Sequence, residues 1–212
     1  MSMAHKKLII VLTVFTIAAL IGTYFYYQNL NDATDPRTRA LETEYQKYPN
    51  LLKEKKYDEA LQLLEKIKLS YQKIPDYKNS YEIGVILNDQ AVVYLVQAEK
   101  TFLEPQNFSP NILEHRKNFL KQARYYTEKS IEQYQKITPQ KTETLRRLSV
   151  SYTNLGVISR YENNRQNAKL YYEKAVRLWA DNDTAVNNLN VLLGKPIQKR
   201  SVLKKLFPKD KK

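Results

Sequence analysis

The first pattern along the chain is an unbroken apolar run. LIIVLTVFTIAALIGTYFYY, Leu8 to Tyr27, holds twenty residues without a charge. At about 1.5 Å per residue such a helix spans ~30 Å, the thickness of a bilayer's hydrocarbon core, so the run predicts a single transmembrane helix. Lys6 and Lys7 precede it, and Tyr24, Tyr26 and Tyr27 close it as an interfacial aromatic belt would. Bulky YFYYQNL follows where a signal peptide would carry a small-residue cleavage site, which favours an uncleaved anchor. The lysines abutting the run favour a cytoplasmic N-terminus, with the rest of the chain periplasmic or extracytoplasmic.

Beyond a polar connector at 28–39 the pattern changes to the 3.6-residue period of amphipathic helices. Leu145, Leu148, Tyr152, Leu155 and Ser159 fall on one face. After a break near ENNRQ, so do Ala168, Tyr171 or Tyr172, Ala175 and Leu178. Gly156, Ala168 and Ala175 are small residues inside these two helices. The expectation is an antiparallel pair crossing at Gly156 and Ala168, where small side chains let the axes approach to ~8–10 Å despite glycine's helix cost of about 1 kcal/mol. Ala175 is expected to do the same against the following helix, with Tyr172 as the large filler.

Tyr152, Leu155, Gly156, Ala168, Tyr172 and Ala175 together resemble the tetratricopeptide repeat, a 34-residue helix-turn-helix unit. Ser159 and Ala180 depart from it where Tyr and Pro are usual. Asn188-Leu189 repeat Asn154-Leu155 thirty-four residues on, in a helix that starts behind Asp183, stops at Gly194 and Pro196, and reads as a cap. Other copies are more divergent. KKYDEALQLLEKI matches the second helix through Ala60, Leu64 and Ile67. ARYYTEKSI from Ala123 parallels AKLYYEKAV from Ala168, with Ser130 for Ala175. LNDQAVVY places Ala91 at the Gly156 position. Ala91 to Gly156 is 65 residues and Ala123 to Ala168 is 45, so the middle copy carries about twenty extra residues, including a helix start at Ser109-Pro110. In the first copy Pro49 interrupts the opening helix and Lys47 stands where Leu is expected.

The resemblance implies an all-α fold, a short TPR-like α-solenoid of antiparallel pairs plus a capping helix over residues 40–194, behind the membrane anchor at 1–27. It also implies a protein-binding groove lined by the first helix of each repeat. Carried over, the groove positions are Val85, Asn88, Asp89, Val92, Leu95 and Val96 in the middle copy. In the last full copy they are Val150, Thr153, Asn154, Val157, Arg160 and Tyr161, and in the cap Thr184, Asn187 and Asn188. Asparagine can both donate to and accept from an extended peptide; equally, Asn154 and Asn188 can simply tie neighbouring helices. None of these positions is a lysine, which argues against a clamp for a C-terminal carboxylate. The apolar run VILNDQAVVYLVQA predicts a helix buried on several sides, with most of Val85, Val92, Leu95 and Val96 in the core under the insertion or, if uncovered, forming an apolar groove floor for a partner helix.

Charge alters this picture in one place. The net charge of +13 is concentrated in residues 195–212, which hold eight Lys/Arg against one Asp, while residues 28–194 carry only +4. That distribution argues against a nucleic-acid-binding body. It leaves the basic tail, KPIQKRSVLKKLFPKDKK, either as a solvated run or as a binder of nucleic acid or anionic surfaces. The chain has no cysteine, and its two histidines, His5 and His115, stand alone. No catalytic, metal or phosphate-loop motif occurs, so the expectation is a membrane-anchored scaffold or adaptor that is not an enzyme and needs no cofactor. Homo-oligomerisation stays open.

Overall fold

The computed structural model describes residues 35–103 and 108–198. Among these, all regular structure is helical and no strand occurs. The helices are α1 (Arg39–Tyr45), α2 (Tyr48–Lys53), α3 (Tyr57–Lys73), α4 (Tyr81–Leu103), α5 (Pro110–Gln135), α6 (Thr142–Tyr161), α7 (Arg165–Leu178) and α8 (Asp183–Leu192), with one 3-10 turn at Pro75–Tyr77. No described helix is long and apolar enough to cross a membrane; the expected anchor, Leu8 to Tyr27, lies outside the described residues.

The chain divides into two compact units, 1–43 and 44–212. In the described part of the first, Asp35 shapes the start of α1. Its carboxylate accepts from the main-chain N–H of Arg37 at 2.9 Å, and its carbonyl accepts from Thr38 N at 2.9 Å.

In the second unit, helices α2 to α8 each pack on the next along the chain, and α4, α6 and α8 also touch in succession. The pairs are antiparallel. In α4/α5, Gln133 reaches the carbonyl of Ser80 at 3.1 Å and Arg116 that of Thr101 at 2.9 Å, joining the start of each helix to the end of the other. In α6/α7, Ser149 donates to the carbonyl of Ala175 at 2.8 Å, far from the turn at Glu162–Asn164. The α4/α5 pair is longer, with helices of 23 and 26 residues against 20 and 14 in α6/α7. Ser109 begins α5 as expected, its hydroxyl accepting from Ile112 N at 3.4 Å with Pro110 at the first helical position.

Two turns share one geometry at matched places. After α6, Asn163 adopts φ 61°, Asn164 N donates to Ser159 O at 2.8 Å and Asn163 N to Arg160 O at 3.0 Å. After α2, Lys55 adopts φ 62°, Lys56 N donates to Leu51 O at 2.9 Å and Lys55 N to Leu52 O at 3.1 Å. Both are Schellman closures, which satisfy the last carbonyls of a helix by reversing the chain through a left-handed residue. Lys55 and Asn163 lie 108 residues apart, as do Ala60 and Ala168. Asn164 then caps α7, its side chain accepting from Asn167 N at 3.0 Å.

The small residues sit in the core. Ala60, Ala91, Ala123, Ala168 and Ala175 are fully buried, Leu155 nearly so, and Tyr172 completely. The open choice between Tyr171 and Tyr172 resolves to Tyr172, since Tyr171 is only partly buried. The partner of Tyr172 differs from the expectation, however. Its ring turns back over Gly156 on the preceding helix instead of filling space beside Ala175 against the following one. A Cβ built on Gly156 would lie 2.3 Å from Tyr172 Cε1. Gly84 and Tyr134 repeat the device in α4/α5, at 2.5 Å. Glycine here makes room for a ring more than for a backbone.

Helix α4 is buried on several faces, through Ile83, Ile86, Gln90, Ala91, Val93, Leu95 and Ala98, because α3, α5 and α6 all pack on it. Helix α8 begins one residue earlier than the sequence indicates. Asn182, not Asp183, is its N-cap, accepting from Ala185 N at 3.1 Å. It ends at Gly194 (φ 70°), where Lys195 N reaches Asn190 O at 2.8 Å and Gly194 N reaches Val191 O at 3.2 Å.

Candidate protein-binding face

Helices α4, α6 and α8 bring the expected groove positions onto neighbouring rods, and hydrogen bonds decide which of them stay available. Asn88 is buried. Its Oδ1 accepts from Asn154 Nδ2 at 3.0 Å and from Ser151 Oγ at 3.1 Å. Ser151 lies 3.1 Å from Ser130 on α5, which donates to the carbonyl of Gly84 at 2.8 Å. One buried polar chain thus joins α4, α5 and α6. Asn154 therefore spends its amide tying helices, the second of the two roles open to it.

A matching network joins α6, α7 and the start of α8. Ser149 donates to Ala175 O at 2.8 Å. Asn182 Nδ2 donates to Ser149 Oγ at 2.8 Å and to Thr153 Oγ1 at 3.0 Å, and Thr153 donates to Ser149 O at 2.9 Å. Gly84 and Ser149 are 65 residues apart, and Ser130 and Ala175 are 45 apart. Each hairpin thus carries one serine-to-carbonyl bond at the same crossing, donated from opposite helices. In a buried site, leaving either donor without an acceptor costs about 1–3 kcal/mol. Thr153 is accordingly buried and internally bonded.

Asp89 is half-buried and serves the first copy. It accepts from the Tyr45 hydroxyl, while its main-chain carbonyl accepts from Tyr48 at 3.3 Å. The two rings stack with centroids 6.0 Å apart. Burial pushes the Asp89 carboxyl up to about 6, against the Tyr45 hydrogen bond and the positive charge of Arg147, which both hold it down. Burial also raises both tyrosines, with the Asp89 charge adding to it.

The remaining positions face outward to different degrees. Val85, Val92, Val96 and Val157 are half-buried, and Val92 and Val157 lie one turn on from the Asn88–Asn154 bond on adjoining helices. Arg160 is exposed. Tyr161 stacks on Phe102 at 4.8 Å, with the guanidinium of Arg116 3.7 Å from the centre of that phenyl ring. Burial, then the nearby Glu99, raises the Tyr161 hydroxyl. Asn188 is half-buried, Thr184 is exposed, and Asn187 bonds the main chain of Gln198. Of these positions Val92, Val157 and Tyr161 are half-buried, Val157 and Tyr161 packing in part against the core, and Arg160 is exposed.

Sequence reasoning missed Ser130, Ser151, Asn182, Tyr45 and Tyr48. Ser130 carried a usable signal, since it replaces Ala175 in an otherwise parallel segment. A second groove was also missed. It encloses about 700 Å³ between α3, α4 and α5, with Leu61, Leu69, Tyr94 and Tyr126 in its lining. Tyr94 and Tyr126 stack there at 5.7 Å. No cluster of side chains suited to holding a metal ion occurs among the described residues.

No protein-family model matches the chain, and comparison with curated proteins finds no match.

Proposed function

We propose that the chain is a membrane-anchored scaffold whose helices α2 to α8 form a short TPR-like solenoid that binds a protein partner. The partner lies along α4, α6 and α8, against Val92, Val157 and Tyr161, with Arg160 at the edge. The observation that carries this reading is the repetition of structure at fixed register. The Schellman turns at Lys55 and Asn163 and the serine-to-carbonyl bonds at Gly84–Ser130 and Ser149–Ala175 recur at the offsets the sequence copies define. An array of this kind leaves the first helix of each pair with a ribbon of surface that its own hairpin does not cover. An apolar strip edged by charge suits an amphipathic segment of another protein. The anchor, Leu8 to Tyr27, tethers the chain to a bilayer, with the helical domain on the extracytoplasmic side.

The reading is tested in intact membranes with a photo-reactive side chain at Val92, at Val157 or, as a control, at the exposed Tyr125 of α5. A discrete heterologous adduct from the first two and none from Tyr125 is expected. Adducts from all three, or from none, would remove the binding face. Protease accessibility before and after lysis, with membrane extraction, tests the anchor and its orientation separately.

A further inference from the structure

Helix α3 is flanked unevenly. Its 17 residues pack on α4 and on α2, and α2 is only six residues long. Helices α3 and α5 both lie against α4 and leave between them a groove of about 700 Å³. The α3 wall of this groove is one stripe, in which Leu61, Gln62, Glu65, Lys66, Leu69 and Lys73 recur over three turns. Leu69 is 48% exposed on it. Asp58 extends the stripe by one turn towards the start of α3. Burial, then the charge of Asp58, raises the hydroxyl of Tyr94, which lines the groove.

The charges along the stripe are not equally committed. Glu65 bonds Lys68 at 2.6 Å and Gln90 at 3.0 Å, and Lys66 bonds Glu44 at 2.7 Å. Asp58 and Lys73 are both exposed, and neither enters an ion pair among the described residues. They stand fifteen residues apart, about 22 Å along the helix, with opposite signs at opposite ends. Such a stripe is complementary to itself run backwards. In an isologous contact one patch meets its own copy about a two-fold axis. An axis between Glu65 and Lys66 sets Asp58 of each copy beside Lys73 of the other, and Leu69 of each against the Leu61–Gln62 turn of the other. Each groove then receives the ridge of the facing helix, the usual way in which helices pack.

From this self-complementary register and the groove beside it, we propose that α3 binds a second copy of this chain. The two α3 helices run antiparallel, each lying in the α3/α5 groove of the other, with an Asp58–Lys73 pair at either end. Exposed ion pairs contribute little affinity, so Leu69 supplies the attraction and the charges set the direction. The inference stands on α3 and its groove and needs neither the partner-binding face nor the anchor.

The chain has no cysteine, so introduced cysteines report the pairing directly. Full-length Asp58→Cys and Lys73→Cys chains are mixed in detergent micelles and oxidised. The mixture should give a disulfide-linked dimer, and either variant alone at least about fivefold less, because like positions lie about 22 Å apart in this register. Equal yields from the single variants, or no dimer, would overturn the proposal. Asp58 and Lys73 also suit the two ends of the α3 dipole, and charge reversal separates the two roles. In sedimentation equilibrium of the full chain in density-matched micelles, Asp58→Lys or Lys73→Asp should raise the dissociation constant of the dimer about tenfold, and the double reversal should return it to within about threefold of the parent. A double variant worse than either single would show that these charges serve only the dipole, and would refute the pairing. A dimer indifferent to all three variants would overturn it too, as would p-benzoylphenylalanine in place of Leu69 that captures only lipid or a different protein. Capture of a partner at Val92 or Val157 has no bearing on these readings, so the two proposals fail separately.

Discussion

The ring of Tyr172 occupies the volume that a side chain at Gly156 would need, 2.3 Å from where its Cβ would stand. The same two register positions hold Ala91 and Thr127 in the α4/α5 hairpin and Tyr48 and Leu64 in the first copy, all of them buried. Bulk is thus traded across the pair.

Gly156→Ala should therefore destabilise the helical domain by about 1–3 kcal/mol through overpacking, even though alanine is the better helix former. Tyr172→Thr should cost about 3 kcal/mol through the cavity it leaves. The double variant, which copies the Ala91/Thr127 pair, should lose less than the two singles together by at least ~1 kcal/mol. Chemical denaturation of all three reads the coupling, and strict additivity would show that the two sites do not share volume.

Asn182 combines two roles, capping α8 through Ala185 N and donating to Ser149 and Thr153. Asn182→Ala should cost about 2–4 kcal/mol, near 1 from the cap and the rest from buried hydroxyls left without a partner. Asp183→Ala, at the position the sequence suggests as the start, should cost under about 1 kcal/mol. Equal losses in thermal unfolding would refute this assignment.

Because the Asp89 carboxyl titrates near 6 in the fold against 3.8 for the free side chain, the folded state binds more protons than the unfolded state between these values. Stability from this group is thus fully present below about pH 4 and declines as pH rises to about 6, by roughly 2–3 kcal/mol at most. Asp89→Asn keeps an acceptor for Tyr45 and removes the titration. The stability of the variant relative to the parent should climb between pH 4 and 6.5 and then level off. A flat difference across that range in urea titrations would mean that Asp89 ionises normally.

Lys55 and Asn163 hold left-handed backbone that a side chain tolerates poorly, at about 1–2 kcal/mol for most residues and less for asparagine. Lys55→Gly should stabilise the domain by up to about 1 kcal/mol. Asn163→Ala should destabilise it by about 1 kcal/mol, and Asn163→Gly should change little. Opposite signs at the two sites in one denaturation series are the signature. A loss on Lys55→Gly would show that the lysine side chain matters more than its backbone.

The sequence alone determined what depends on neighbours a few residues away. The helix at Ser109-Pro110, the break at ENNRQ, the stop at Gly194 and the buried stripe through Ala168 and Ala175 all follow from capping and 3.6-residue periodicity, which act within one or two turns. The offsets of 65 and 45 residues, read from Ala91–Gly156 and Ala123–Ala168, also relate the two serine-to-carbonyl bonds, but the bonds themselves were visible only in the fold. Only the tertiary structure decided partners. Whether Tyr172 leans on Gly156 or on the next helix depends on the rotation of one rod about another, and whether Asn88, Thr153 and Asn154 face a ligand or each other depends on which rods stack. Those choices are made by groups 26 to 66 residues apart competing for the same buried volume and the same hydrogen bonds, and no local pattern in the chain records who wins.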